Sequence, residues 1–390
     1  MKQIITLFLL LIFFISCSPL KKYEDNSEKE IKKLESLDQK ERKVFFNNPE
    51  GTFLISSDLH IHSVFSDGQV WPSIRIEEAR RDSLDLISMT EHLEYLSYRK
   101  DIIIPDRNRS YNISKALLKK DETLMIVNGS EITKPMPPGH FNAIFIKDAN
   151  PLNVYNKLNK EDGEKAMQEA NNQGAFVFWN HPNWIANRDD GIARLDKFHK
   201  HLLQKKLFHG IEVVNEHTYS EEALEIALSN NLTIMGTSDV HGLIDWDYPK
   251  EKKAHRPITF IISKNRTASS IRDALFNQKT FVWHKDMLIG KKENILPIIQ
   301  KNITITSLGY YKKIVTITIK NHSVVPFKLR YLGDYTFHSY SSILEIPARG
   351  ELNVTVKTKD ILDSIDMDFE VLNVITAPNK FLRINKSVNL

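Results

Sequence analysis

Between residues 53 and 262 short apolar runs alternate with amphipathic stretches. The apolar runs fall at 53–58, 84–89, 124–129, 141–146, 175–179, 210–214, 232–235 and 258–262. They show little polar alternation, which is the pattern of strands buried on both faces of a parallel sheet. Between them, 73–83, 112–119, 162–173, 221–230 and 269–278 carry apolar residues at helical spacing. So many strand–helix repeats predict a closed (β/α) barrel in preference to an open sheet. The rhythm changes near Lys291. From Ile303 onward, period-2 alternation runs without helices through 303–306, 315–319, 327–329, 344–346 and 352–356. Turn residues separate these runs at Asn321-His322, Gly333-Asp334 and Ala348-Arg349-Gly350. The expected organisation is a barrel over 51–290 followed by a small antiparallel β-sandwich over 291–390.

The first residues follow another pattern. Met1-Lys2-Gln3 gives a positive start, and residues 4–15 form an apolar run too short to span a bilayer as a mature helix. Ser16-Cys17 follows, so residues 1–17 have the shape of a secretory signal peptide. Cys17 is the chain's one cysteine. Its position resembles the lipobox of bacterial lipoproteins, although Phe14 stands where those sequences usually have Leu. That resemblance implies a triply acylated Cys17 and a membrane-anchored protein of the bacterial cell envelope, periplasmic or surface-facing. A plain cleaved signal peptide is the alternative. Either way the protein is expected to be exported, with no disulfide to hold it. Residues 18–50 mix both charge signs and read as a polar tether or helix.

The chain has 390 residues and a formal net charge of +4, with the composition of an ordinary globular protein. No basic tract points to nucleic acid.

Barrel enzymes place their chemistry at the C-terminal ends of the strands. Here those ends carry His60, His62 and Asp67; Glu91 and His92; Glu131; Pro138-Gly139-His140; Asn180-His181; Glu216 and His217; and Asp239 with His241. His60 and His62 alternate along a strand, so they share one face. At Glu91-His92 either side chain is a possible ligand, and His140 precedes its strand. His199, His201 and His209 lie in a lysine-rich segment and read as surface residues. His255, His284, His322 and His338 fit no cluster, although His255-Arg256 is a candidate lining of the mouth.

The run Asp58-Leu-His60-Ile-His62-Ser63, completed by Ser66-Asp67-Gly68, resembles the first motif of the PHP (polymerase and histidinol phosphatase) family. Thr90-Glu91-His92, Glu131, His181 and Ser238-Asp239-Val240-His241 resemble its later motifs, and the likeness covers about residues 55–285. It implies a distorted (β/α)7 barrel that binds two or three divalent ions (zinc, manganese or iron) and cleaves phosphate esters. Carried onto this sequence, it implies one ligand set of His60, His62, Glu131 and Asp239. A second shares Glu131 and adds His140 and His181, and a third takes Asp67, His92 and His241. The segment from His255 to Phe281 is most similar to the branch with exported and carbamate-hydrolysing members.

Imidazole and carboxylate ligands suit those metals, and a shared carboxylate such as Glu131 suits a two-metal hydrolase. Arg188 and Arg256 are the candidates for binding a substrate anion, and His217 for giving a proton to the leaving group. The expected activity is that of a metal-dependent phosphoesterase acting on a small-molecule monoester or diester. The alternatives are a carbamate, amide or other acyl substrate at the same metals, and a non-catalytic binding module.

Overall fold

The computed structural model describes residues 45–133, 140–154, 159–252 and 254–390. The expected signal segment, Cys17 and residues 18–44 of the polar tether lie outside the described residues.

The core of the first part is strand β1 (Phe53–Ile61), buried from Ile55 onward. It pairs in parallel with β2 (Leu86–Met89), which pairs in parallel with β3 (Met125–Ile132). Next come β4 (Phe141–Ile144), β5 (Phe176–Trp179) and β6 (Gly210–Asn215), with a two-residue β7 (Thr218–Tyr219) and β8 (Thr233–Thr237) both against β6. On the other side β1 meets β9 (Ile258–Ser263). Thr259 stitches β9 to β8, its Oγ1 donating to the Gly236 carbonyl at 2.7 Å and accepting from the Gly236 amide at 2.8 Å. Past the strand ends, His62 N donates to Val240 O and Asp239 N donates to His60 O, at 3.1 and 3.0 Å. These bonds bring the end of β8 onto the end of β1 and close the ring. The fold is the α/β barrel of distorted type that the sequence predicts.

Two strands depart from the expected parallel order. β4 runs antiparallel to both β3 and β5, and β9 runs antiparallel to β1. Eight residues join β3 to β4, fewer than the dozen or so that a parallel crossover needs. A strand covered on both faces reads as apolar in either direction, so the pattern carried no sense of polarity.

The predicted helices form at Pro72–Arg81, Arg109–Ala116, Lys160–Asn172, Glu221–Ser229 and Ala268–Phe276. Pro72 opens the first, where a missing N–H costs nothing, and Arg80 and Arg81 close it against the negative end of the helix dipole. Ser220 caps Glu221–Ser229 by accepting from Ala223 N at 3.1 Å.

The hairpin of β10 (Thr280–His284) and β11 (Met287–Gly290) and the helix Lys292–Asn302 lead into the all-β part. One sheet contains β12 (Ile303–Tyr311), β13 (Ile314–Asn321), β15 (Thr336–Phe337) and β17 (Glu351–Lys357). The other contains β14 (Phe327–Tyr331), β16 (Ile343–Ile346), β18 (Ser364–Ala377) and β19 (Lys380–Asn389). Their inward residues alternate with exposed ones, as in β14 (Phe327, Leu329, Tyr331). β18 also pairs in parallel with β11, so the barrel sheet continues into the sandwich. One apolar cluster runs through both, from Phe46, Phe260 and Phe281 to Val315, Phe327 and Phe369.

Candidate metal centre

The barrel closure sets the site. β1 delivers His60 and His62, β3 delivers Glu131, and the turn after β8 delivers Asp239 and His241. Gly68 lets the loop after β1 fold back, because a Cβ there would lie 2.7 Å from the His62 carbonyl carbon. That close approach turns Asp67 toward the same point.

Glu131 is the hub, fully buried with five imidazoles around it. Its Oε2 lies 3.3 Å from Nε2 of both His60 and His62 and 3.0 Å from His92 Nδ1. Its Oε1 lies 2.8 Å from His140 Nδ1 and 3.4 Å from His181 Nε2. Asp239 Oδ1 sits 3.0 Å from His60 Nε2 and 3.1 Å from His62 Nε2. Asp67 stands apart with His92 and His241, at 3.3 and 3.2 Å from their Nε2 atoms. The His62 ring stacks between His92 and His241, with centroids 4.6 and 4.4 Å away. All nine of the expected ligands therefore converge on one connected space.

Charge and burial oppose each other here. Burial pushes His62 down, but Asp239 and Glu131 pull harder and raise it to about 10. His60 is also raised, by Asp239, Glu131 and Glu212 against the effect of burial. Burial pushes Glu131 up, yet His92, His60 and His140 hold it well below the carboxylate range. Burial acts the same way on Asp239, and His60 and His62 overcome it.

The donor set fits divalent cations. Among the described residues His181 Nδ1 is buried without a hydrogen-bond partner, and His62 Nε2 faces only the carboxylates of Asp239 and Glu131, at 3.1 and 3.3 Å, an arrangement that costs free energy unless something else engages those nitrogens. Carboxylate oxygens also crowd His60 Nε2 and His181 Nε2 at 3.0–3.4 Å. Asp239 and His181 hold left-handed backbone conformations, with φ of 50° and 28°.

The crystal structure of a two-domain protein from Bacteroides vulgatus ATCC 8482, containing a predicted PHP-like metal-dependent phosphoesterase, is 38% identical to this chain. The likeness covers 88% of this chain and 98% of that one, with a TM-score of 0.82. The chain belongs to the PHP superfamily. A family model described as an Ig-like domain matches residues 303–386. A putative metal-dependent phosphoesterase from Bifidobacterium adolescentis is 16% identical, covering 48% of this chain and 88% of its own, with a TM-score of 0.34. An amidohydrolase from Chromobacterium violaceum is 14% identical, covering 51% and 90%, with a TM-score of 0.33. Superpositions that loose say nothing further about this chain. No curated protein matches it. As a PHP protein with this donor set, the chain is a metal-dependent hydrolase.

The PHP site rests on a second layer that sequence reasoning missed. His60 Nδ1 donates to Glu212 Oε1 at 2.8 Å, which turns its Nε2 toward the cluster. Glu212 also accepts from His181 N at 2.6 Å, Thr237 Oγ1 at 2.6 Å and Asn215 Nδ2 at 2.9 Å. Such an outer carboxylate fixes the tautomer and orientation of a metal-binding ring. Glu212→Gln is expected to weaken metal binding about 10- to 100-fold, read by competition against a chelating dye. Unchanged affinity would show that the His60 ring is oriented by something else. Asn180 Nδ2 donates to Glu131 Oε1 at 3.0 Å. Arg75, fully buried, clamps the two main motifs by donating to the carbonyls of His62, His241 and Gly242 at 2.8–2.9 Å.

The Glu91-His92 alternative resolves toward His92. Glu91 is held by Ser63 and Ser66, with Ser66 Oγ at 2.5 Å and Ser63 N at 3.1 Å.

Neither arginine candidate is available to a substrate. Arg256 is 1% exposed, with Nε and Nη2 on Asp82 at 3.2 and 2.9 Å and Nη1 on Asp58 at 3.1 Å. Arg188 is buried too, with Nη2 on the Arg194 carbonyl at 2.6 Å and on Asp196 at 3.1 Å. His217 does reach the mouth, exposed, with its ring 4.8 Å from that of Tyr248. His255 packs on Trp283 at 3.7 Å between ring centroids.

The surface reading of His199 and His209 also fails. Residues Lys197–Gln204 form a helix whose inner face carries His199 and Leu202. His199 is fully buried, stacked on Trp179 at 4.1 Å. His209 packs edge-on against Phe276 at 4.7 Å. The lysines mark only the outer face of that helix, and they masked the inner one.

Proposed function

We propose that this protein is a metal-dependent phosphoesterase that hydrolyses a small-molecule phosphomonoester or phosphodiester. Glu131 is the observation that carries the reading. One oxygen faces His60, His62 and His92 and the other faces His140 and His181, so a single carboxylate spans two groups of ligands. We assign one ion to His60, His62, Glu131 and Asp239, a second to Glu131, His140 and His181, and a third to Asp67, His92 and His241. Bound there, divalent zinc, manganese or iron supplies a water of lowered pKa and neutralises charge on the phosphoryl oxygens. The chain itself orients the ligands, excludes water behind the cluster and, through exposed His217, offers a proton to the departing oxygen.

A second reading is hydrolysis of a carbamate, amide or other acyl substrate by the same cluster. It is favoured by the engagement of Arg188 and Arg256, which leaves neither to pair with an anion. The complete donor set speaks against a non-catalytic module. We further propose residues 51–290 as the catalytic barrel and 291–390 as the sandwich. Export and attachment to the cell envelope through lipidated Cys17 rest on the signal-like start alone.

The test is elemental analysis of the purified protein together with a screen of aryl phosphomonoesters, phosphodiesters and carbamates. The expected result is at least two tightly bound ions and turnover of a phosphate ester that is lost on chelation and restored by metal. Turnover of carbamates alone selects the second reading, and no turnover with any metal sinks both.

A further inference from the structure

A cavity of about 280 Å3 opens beside Asp239 and His241. Trp246, Tyr248, His217, Glu216 and Asp247 are among the residues that line it. Trp246 belongs to the short helix Ile244–Asp247 and remains 63% exposed. Its indole nevertheless lies directly on the backbone after His241. A Cβ at Gly242 would come within 2.7 Å of Trp246 Cε3, so glycine at 242 is what lets the ring settle there. Tyr248, another lining residue, is firmly held, since it is buried and its ring meets that of His217. A large aromatic face is thus left open to solvent, yet is held next to a ligand of the cluster. Stacking is the interaction such a face offers.

We propose that this cavity binds the group leaving the ester, and that this group is a planar ring without a second negative charge, stacked on Trp246. The inference rests on the phosphoesterase reading and names its substrate class. The phosphoryl end must reach the cluster, so the remainder of the ester projects into the adjoining space. Carboxylates Glu216 and Asp247 face that space and repel an additional anion. Hydrolysis forms a bond from phosphorus to the water oxygen and breaks the bond to the leaving oxygen, which keeps the electron pair and takes a proton. An uncharged aromatic alcohol is then the organic product.

The test compares two pairs of probes on the metal-loaded protein. Benzyl phosphate and cyclohexylmethyl phosphate share charge and leaving-group chemistry and differ in planarity. Benzylphosphonate and cyclohexylmethylphosphonate report binding without turnover. We expect the planar member to be preferred about tenfold in both kcat/KM and Kd, the scale of one stacking contact. Trp246→Ala should erase the preference with the metal content unchanged, and Trp246→Phe should keep most of it. Equal Kd values for the two phosphonates overturn the proposal, as does a preference that survives Trp246→Ala. A binding preference lost in Trp246→Ala supports the subsite even when neither ester is cleaved, a result that counts against the phosphoesterase reading alone.

Discussion

Glu131→Gln is expected to abolish turnover and to empty two metal positions together. Its two oxygens face different groups of imidazoles, three on one side and two on the other. The amide keeps the shape and one acceptor oxygen, but its nitrogen presents hydrogens where a lone pair is needed. It also removes the negative charge that would offset the bound cations at the centre of five imidazoles. His62 Nε2 then loses one of the two carboxylates it faces. Asp67, His92 and His241 form a group that does not pass through Glu131, apart from His92 Nδ1. An ion bound there should survive. Elemental analysis should show the loss of two equivalents, and turnover should fall to background. Loss of a single ion would mean that Glu131 is a terminal ligand and not a bridge. Retained fold, read by far-ultraviolet circular dichroism, separates this result from simple unfolding.

The ligands were legible because a barrel gathers residues that lie at the ends of separate strands. His60-x-His62 and Asp239-x-His241 end apolar runs, and the closure of β8 on β1 brings them within 3.1 Å of one another. Knowledge of the fold class converts sequence positions into a common face. The second layer had no such marker. Glu212 sits in Gly-Ile-Glu-Val-Val-Asn, and nothing local says which partners it meets. One cue was present: a carboxylate inside an otherwise apolar, buried strand demands hydrogen-bond donors. β18 was not read either, although it carries a cue. Ile365, Met367, Phe369 and Val371 alternate with exposed polar residues, the same period-2 signal that marked β14. Strand direction was not readable, because antiparallel β4 and β9 are covered on both faces like their parallel neighbours. The arginines failed for a different reason. Sequence shows a positive charge near the mouth but not the buried carboxylates that claim it.

Arg256 therefore changes from a substrate contact to a support behind the cluster, and its removal should be costly in stability. The guanidinium is buried between Asp58 and Asp82. Asp58 in turn accepts from Ser238 N at 3.1 Å and Ser238 Oγ at 2.6 Å, directly before Asp239 and His241. Deleting one partner of a buried ion pair leaves an uncompensated charge, a penalty of about 3–5 kcal/mol. Arg256→Ala should therefore lower the denaturation midpoint sharply. Arg256→Met combined with Asp58→Asn and Asp82→Asn removes the stranded charges and should recover much of that loss. The metal-loaded protein that remains folded should show reduced kcat, since the turn carrying Asp239 loses its anchor, with little change in KM. A stable Arg256→Ala protein whose defect lies in KM alone would return Arg256 to the substrate.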